Sequence, residues 1–299
     1  MISPSIIPGM TDALQSSRAD LIDRVPPHAF FMVSAVFHYL GPSFAVLLFA
    51  HVGVLGVAWL RIASAAAIFA VWRRPWRVAG DGDRGARRLV VALGITLALM
   101  NSAFYLAIDR LPLATVAAIE FVAAIVVALV GVRSFRNVAA LIVAVAGVFL
   151  LIGFHWSGDR LGVLLAIANA ALFGVYIVLG HAISRAGGAS GIDRLGAAML
   201  VAGIAVMPFG VAEVVPVLSR PELILAGIGV GVSSSVIPYV CDQLAMARLP
   251  RATFALMLTL LPATAAVVGM VVLAQVPTPA EIAGILLVAT GVGVHKPAQ

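Results

Sequence analysis

Ten apolar stretches follow one another along the chain, each close to the ~20 helical residues needed to cross ~30 Å of hydrocarbon. They lie at roughly 28–50, 53–72, 89–108, 113–132, 137–155, 161–181, 195–212, 223–246, 252–273 and 281–295. Inside lipid every backbone N–H and C=O must be paired within the protein, which leaves only helices and closed barrels. Barrel strands are short and alternate in polarity; these runs are long and continuous. The expectation is an all-α membrane protein with ten transmembrane helices. Composition agrees: 62% of the 299 residues are hydrophobic and 11% charged, against about 25% charged in a soluble domain.

A net charge of +6 and a pI near 10.4 would suit a nucleic-acid partner, but the positions of the charges say otherwise. With the N-terminus inside, 15 of the 19 basic residues fall in cytoplasmic segments, among them Arg73, Arg87, Arg133, Arg185 and Arg251. Arg110, Arg160 and Arg220 fall outside, and Arg61 lies within a helix. This is the positive-inside bias. It places both termini in the cytoplasm and excludes nucleic acid as a partner. Trp72 and Trp76 at the inner end of the second run and Trp156 at the outer end of the fifth sit where aromatic belts form. Residues 1–27 contain Asp12, Arg18, Asp20, Asp23 and Arg24 and no apolar core, so they read as a cytoplasmic N-terminal tail and not as a signal peptide. The single Cys241 rules out an internal disulfide, and no metal-ligand spacing occurs; no cofactor is expected.

An internal repeat adds the architecture. RLPLAT at 110–115 returns as RLPRAT at 248–253, five of six residues identical at a spacing of 138. YLAID before the first copy matches QLAMA before the second, and Ala117, Ala128 and Gly131 match Ala255, Ala266 and Gly269. The first copy joins runs 3 and 4, the second runs 8 and 9. Five is odd, so the second copy must cross the membrane in the opposite sense. Residues 28–155 and 161–295 thus read as two inverted five-helix repeats, an architecture of secondary transporters that bind substrate between the halves near the midplane.

MNSAFYLAIDRLPLATVAAIEF (100–121) and IPYVCDQLAMARLPRATFALMLTLLPA (237–263) resemble the EamA-type branch of the drug/metabolite transporter superfamily, and within it the threonine/homoserine exporters. The resemblance covers about residues 30–293. It implies ten helices, a cavity lined mainly by helices 3, 4, 8 and 9, and export of amino acids or related metabolites. Where those exporters carry Glu-Pro in helix 9 this chain has Leu261-Pro262; a Pro of helix 4 is Ala124 and a Lys of helix 1 is Val46. The acidic position of helix 8 is kept as Asp242.

Ionisable residues at the bilayer centre cost roughly 2.5–3.5 kcal/mol on insertion scales and face protein or water. The deep ones here are Arg61, Glu120 and Asp242, with His38 and His181 as weaker cases. Glu120, flanked at helical spacing by Ala117, Ala124 and Ala128, has three readings: a structural ion pair with Arg61, contact with a substrate ammonium or a proton, or a protonated, hydrogen-bonded acid. Ser235, Tyr239 and Asp242 share one face of helix 8 at i, i+4, i+7. Pro238 beside them interrupts the backbone ladder and frees a carbonyl. Asn101 and Tyr105 share a face of helix 3, and Asn169 and Tyr176 one of helix 6. The alternative for each Tyr is a packed core ring with a satisfied hydroxyl, and His38, near Gly41-Pro42, reads as a packed polar contact. Asp242 paired with Arg248 would require a break in the helix.

The candidate substrate or coupling residues are therefore Glu120, Arg61, Asp242, Asn101, Tyr105, Tyr239, Ser235, Tyr176 and His38. The function expected is a secondary transporter of the inner membrane that exports small amino acids or related metabolites by alternating access. No nucleotide-binding motif is present, and two deep acids leave proton coupling open. The rivals are an importer or exchanger of other metabolites, for which several deep cations are expected, and a membrane-embedded enzyme, for which no paired acids, His-rich motif or nucleophile–base spacing is found.

Overall fold

The computed structural model describes residues 25–73, 75–76, 84–131, 134–155, 159–185, 188–249, 254, 257 and 261–294. Among them there are ten helices and no strand. These are α1 (Pro27–Val52), α2 (Val54–Arg73), α3 (Arg84–Ile108), α4 (Leu113–Gly131), α5 (Phe135–His155), α6 (Arg160–Ser184), α7 (Gly188–Val214), α8 (Pro221–Arg248), α9 (Leu261–Leu273) and α10 (Pro279–Val294). A 3₁₀ turn, Val215–Val217, follows α7. Six of these segments are long and apolar enough to cross a membrane; the described parts of α4, α5, α9 and α10 hold shorter apolar stretches. The chain is a multi-pass membrane protein. The tail 1–24, Trp156, and Pro250 to Thr253 of the second repeat motif lie outside the described residues.

The helix bounds fall within a few residues of the apolar runs except where charge is drawn into a helix and in α9, whose continuous described part begins at Leu261. Helix α7 starts at Gly188, well before the run at 195, because Asp193 is paired with Arg73 of α2 at 2.6 Å and so is tolerated in the first turns. Helix α3 likewise begins at Arg84, extending its polar inner end.

The connections are short and tied down. Gly53 alone joins α1 to α2, with φ +81°, a left-handed conformation that costs glycine little. The first turn of α2 is capped from another helix: the Gly56 N–H donates to the Glu213 carboxylate of α7 at 2.6 Å. Asp159 caps α6 through Gly162 N–H at 2.7 Å and pairs with Arg110 at 3.1 Å. That bond to the Gly162 N–H, followed by the Arg110 guanidinium, holds the Asp159 carboxyl below the usual carboxylate range. The charge of Arg110 is therefore met by Asp159 across the turn.

Helix packing follows a pattern. α2 lies along α7 and α5 along α10; α3 packs on α6 and α7, while α8 packs on α1 and α2; α4 packs on α6, and α9 on α1. The core runs through the tightest of these contacts, with Tyr39, Tyr105, Tyr176 and Tyr239 all fully buried. Large apolar side chains such as Phe149, Ile204, Phe209 and Val271 point outward, as expected of a surface that faces lipid.

Candidate functional site

Helix α8 is not regular. Between its α-helical parts Pro221–Gly231 and Ile237–Arg248 lies a π turn, Val232–Val236. Pro238 has no N–H to return to the carbonyl of Ser234 four residues earlier, and that oxygen takes a different donor: Arg61 of α2, through Nη2 at 2.7 Å. The same guanidinium donates from Nε to Ser235 Oγ at 2.8 Å and from Nη2 to Tyr239 at 3.4 Å, and lies over the Tyr105 ring, 5.1 Å from its centroid. The approach depends on small residues. A Cβ at Gly231 would strike Ser64 Oγ and stand 2.8 Å from the Arg61 carbonyl, and one at Gly41 of α1 would strike Ser234. Arg61 is 3% exposed; a fork of fixed donors meeting several acceptors is what offsets burial of such a charge.

Tyr239 extends the chain of bonds, its hydroxyl donating to Asn101 Oδ1 on α3 at 3.1 Å, while Asn101 Nδ2 donates back to the Leu97 carbonyl at 2.7 Å. The Tyr239 ring packs on Tyr176 of α6 at 5.6 Å, which leads to a second centre. Asp242, 5% exposed, accepts from Ser34 of α1 at 2.5 Å and from the Tyr176 hydroxyl at 3.0 Å. Beside it is a cavity of about 10 Å³, lined by Phe31, Ser34, His38, Phe173, Tyr176, Asp242, Phe254 and Leu261, at the lower limit of what one water needs. His38 stands edge-on to Tyr39 and Phe173. The third centre is Glu120 on α4, 3% exposed, whose Oε1 accepts from Asn169 Nδ2 of α6 at 3.1 Å.

The residues singled out from the sequence thus fall into three centres. Arg61, Ser235, Tyr239, Asn101 and Tyr105 form one, Asp242, Tyr176 and His38 the second, and Glu120 the third. The freed carbonyl beside Pro238 is present and used. An ion pair between Glu120 and Arg61 is not found among the described residues: the carboxylate bonds to Asn169 and the guanidinium to α8. Arg248 donates to the Val25 carbonyl and lies over Phe30, while Asp242 is held by hydroxyls. Ser34, Ser234 and Asn169 complete the site and were not among the candidates. Ser34 carries no signal of its own, since its partner is 208 residues away; Asn169 had one, its shared face with Tyr176.

Comparison with known proteins bears on the family. The threonine/homoserine exporter RhtA of Salmonella typhimurium (strain SL1344) is 32% identical over 245 residues, 81% of each chain, and RhtA of Escherichia coli (strain K12) is 31% identical over the same share. A model of the EamA-like transporter family matches residues 160–294. The chain belongs to the EamA-like transporter family. At family level it is a transporter and not an enzyme. The fold is shared by a solved crystal structure at 17% identity, with a TM-score of 0.61 and coverage of 89% of this chain and 96% of that one.

Proposed function

We propose that the protein is an inner-membrane exporter of small amino acids or related metabolites, working by alternating access between residues 28–155 and 161–294 as two inverted halves. One observation carries this reading. Ser34–Asp242, Arg61–Ser235, Arg61–Ser234, Tyr239–Asn101 and Asn169–Glu120 all join the first half to the second. The buried polar groups form a seam along the surface where the halves meet, where inverted-repeat transporters bind.

The packing supports the inversion. If each helix of the first half is exchanged with the one five places on, α3 on α6 becomes α8 on α1, α3 on α7 becomes α8 on α2, and α4 on α6 becomes α9 on α1. Each of these contacts is present. Asn101 and Tyr239, bonded to each other, stand 138 residues apart, the spacing of the sequence repeat. The cavity beside Asp242 measures about 10 Å³, too small for an amino acid, so a substrate there needs the site to widen. Passage requires the seam bonds to exchange for bonds to substrate, each at a net cost of about 0.5–1.5 kcal/mol, more where charged. Substrate groups that replace those bonds repay that cost.

The test is release of free amino acids from cells that express the protein, against cells that do not, with membrane abundance measured alongside. Faster release of one or a few amino acids is expected. No difference for any amino acid, with the protein present in the membrane, removes the reading.

A further inference from the structure

The seam contains buried polar atoms that have no partner, and they are not randomly distributed. Glu120 Oε1 is engaged by Asn169, but Glu120 Oε2 is buried with no donor, and so is Oδ1 of the same Asn169. Two adjacent oxygens, one of a carboxyl and one of an amide, are thus buried without a donor, which costs free energy. Asp242 is the contrast, since each of its oxygens has a hydroxyl donor. The Tyr39 and Tyr105 hydroxyls are likewise buried without a partner, and Arg61, engaged through Nε and Nη2, has Nη1 outside those bonds. Arg61 and Glu120 belong to the same seam, and among the described residues no hydrogen bond or ion pair joins them: the guanidinium bonds to α8 and the carboxylate to Asn169.

We propose that Glu120 Oε2 and Asn169 Oδ1 seat the ammonium group of the substrate while Arg61 Nη1 and the Tyr105 hydroxyl receive its carboxylate, so that Asn169 selects zwitterions with a free amino group. This rests on the exporter reading and names the poles of its site. An ammonium brings three N–H donors and a positive charge to a carboxylate and an amide oxygen that have neither. An N-acylated amino acid offers one uncharged N–H and leaves Glu120 uncompensated. A phosphorylated metabolite meets Glu120 as a like charge. The seat opens as the seam parts, while the Tyr176–Asp242 bond, which lies within the second half, keeps α6 and α8 together.

Full-length protein reconstituted into liposomes tests this with three probes: L-threonine, L-homoserine and N-acetyl-L-threonine. Wild type is expected to move the free amino acids and discriminate against the acylated one. At equal reconstituted amount, Asn169→Leu should raise KM for the free amino acid about ten- to hundredfold, the value of one hydrogen bond to a charged group. It should change kcat less and narrow the discrimination; Asn169→Ala serves where Leu does not reconstitute. Asn169→Asp, which keeps an acceptor, should retain the discrimination. Unchanged KM and discrimination in both truncations overturn the ammonium seat while the exporter reading stands. Failure of wild type to move either free amino acid counts against the exporter reading, and the seat falls with it.

Discussion

Pro238 and Arg61 make one joint between them. The imino acid removes the N–H that Ser234 would otherwise receive, and the guanidinium takes the oxygen at 2.7 Å. Pro238→Ala returns that N–H and gives the carbonyl a local partner, so α8 is expected to relax toward a regular helix. Helix propensity favours the change. Thermal stability in detergent should hold or rise while transport falls by about tenfold, the equivalent of 1.4 kcal/mol. Normal transport in Pro238→Ala would show that the Arg61 bond to Ser234 is dispensable. Arg61→Lys keeps the charge, but a single ammonium does not reproduce a fork that spans Ser235 Oγ and Ser234 O; a loss of roughly tenfold or more in rate is expected. Glu120→Gln should reach the membrane in normal amount and fail to export, because no ion pair with Arg61 depends on it. A fall in abundance equal to the fall in efflux would make its role structural. Much of this was legible beforehand: Arg61, Glu120 and Asp242 stand out as charges in apolar runs, and Pro238 as a ladder break. Ser34 and Ser234 were not, since a hydroxyl and a carbonyl become special only through partners that the fold brings from far along the chain.

Helices α2 and α7 form a pair spanning the two halves. Arg73–Asp193 ties one end at 2.6 Å and Glu213 with the Gly56 N–H ties the other, also at 2.6 Å. Between them Gly196, Gly203 and Gly210 of α7 recur every seven residues against α2, as small residues do where membrane helices pack closely. The three are not equivalent. A Cβ at Gly203 meets Ala66 at an ordinary 3.7 Å, whereas at Gly210 it strikes Trp59 and stands 2.7 Å from the Leu55 carbonyl. Gly203→Ala should therefore be neutral or slightly stabilising, and Gly210→Ala should cost about 1–3 kcal/mol by overpacking. Thermal unfolding of the two variants in the same detergent compares them; equal midpoints would remove the close contact at Trp59. On α8, cysteines at 235, 239 and 242, with Cys241 replaced, should react with a small aqueous thiol reagent and be protected by substrate. Those three positions are buried here and become reachable only as the seam opens, whereas cysteines at 236 and 240, which pack against the apolar core on the other side, should stay silent. The helices themselves were readable from apolar run length. Which faces they join was less so, because Asp193 and Glu213 read as the polar ends of α7 and became ties only once α2 lay beside it.

For the whole molecule, the sense in which each half crosses the membrane decides the mechanism. Arg110→Cys and Arg248→Cys, each in a chain with Cys241→Ser, should be labelled by an impermeant thiol reagent from opposite sides. Labelling from one side would end the inverted arrangement and alternating access with it. The bond between Asn101 and Tyr239 has a geometric consequence for that arrangement. Residues at equivalent places in two related halves meet only where the relating axis passes, and points on an axis of exchange stay where they are when the exchange takes place. Under the alternating access proposed above, the two mouths of the pathway would trade places and the helices on either side would swap inner for outer roles about this point. A solute held next to it would then not need to travel far through the protein, since the membrane's two faces would be carried past it in turn.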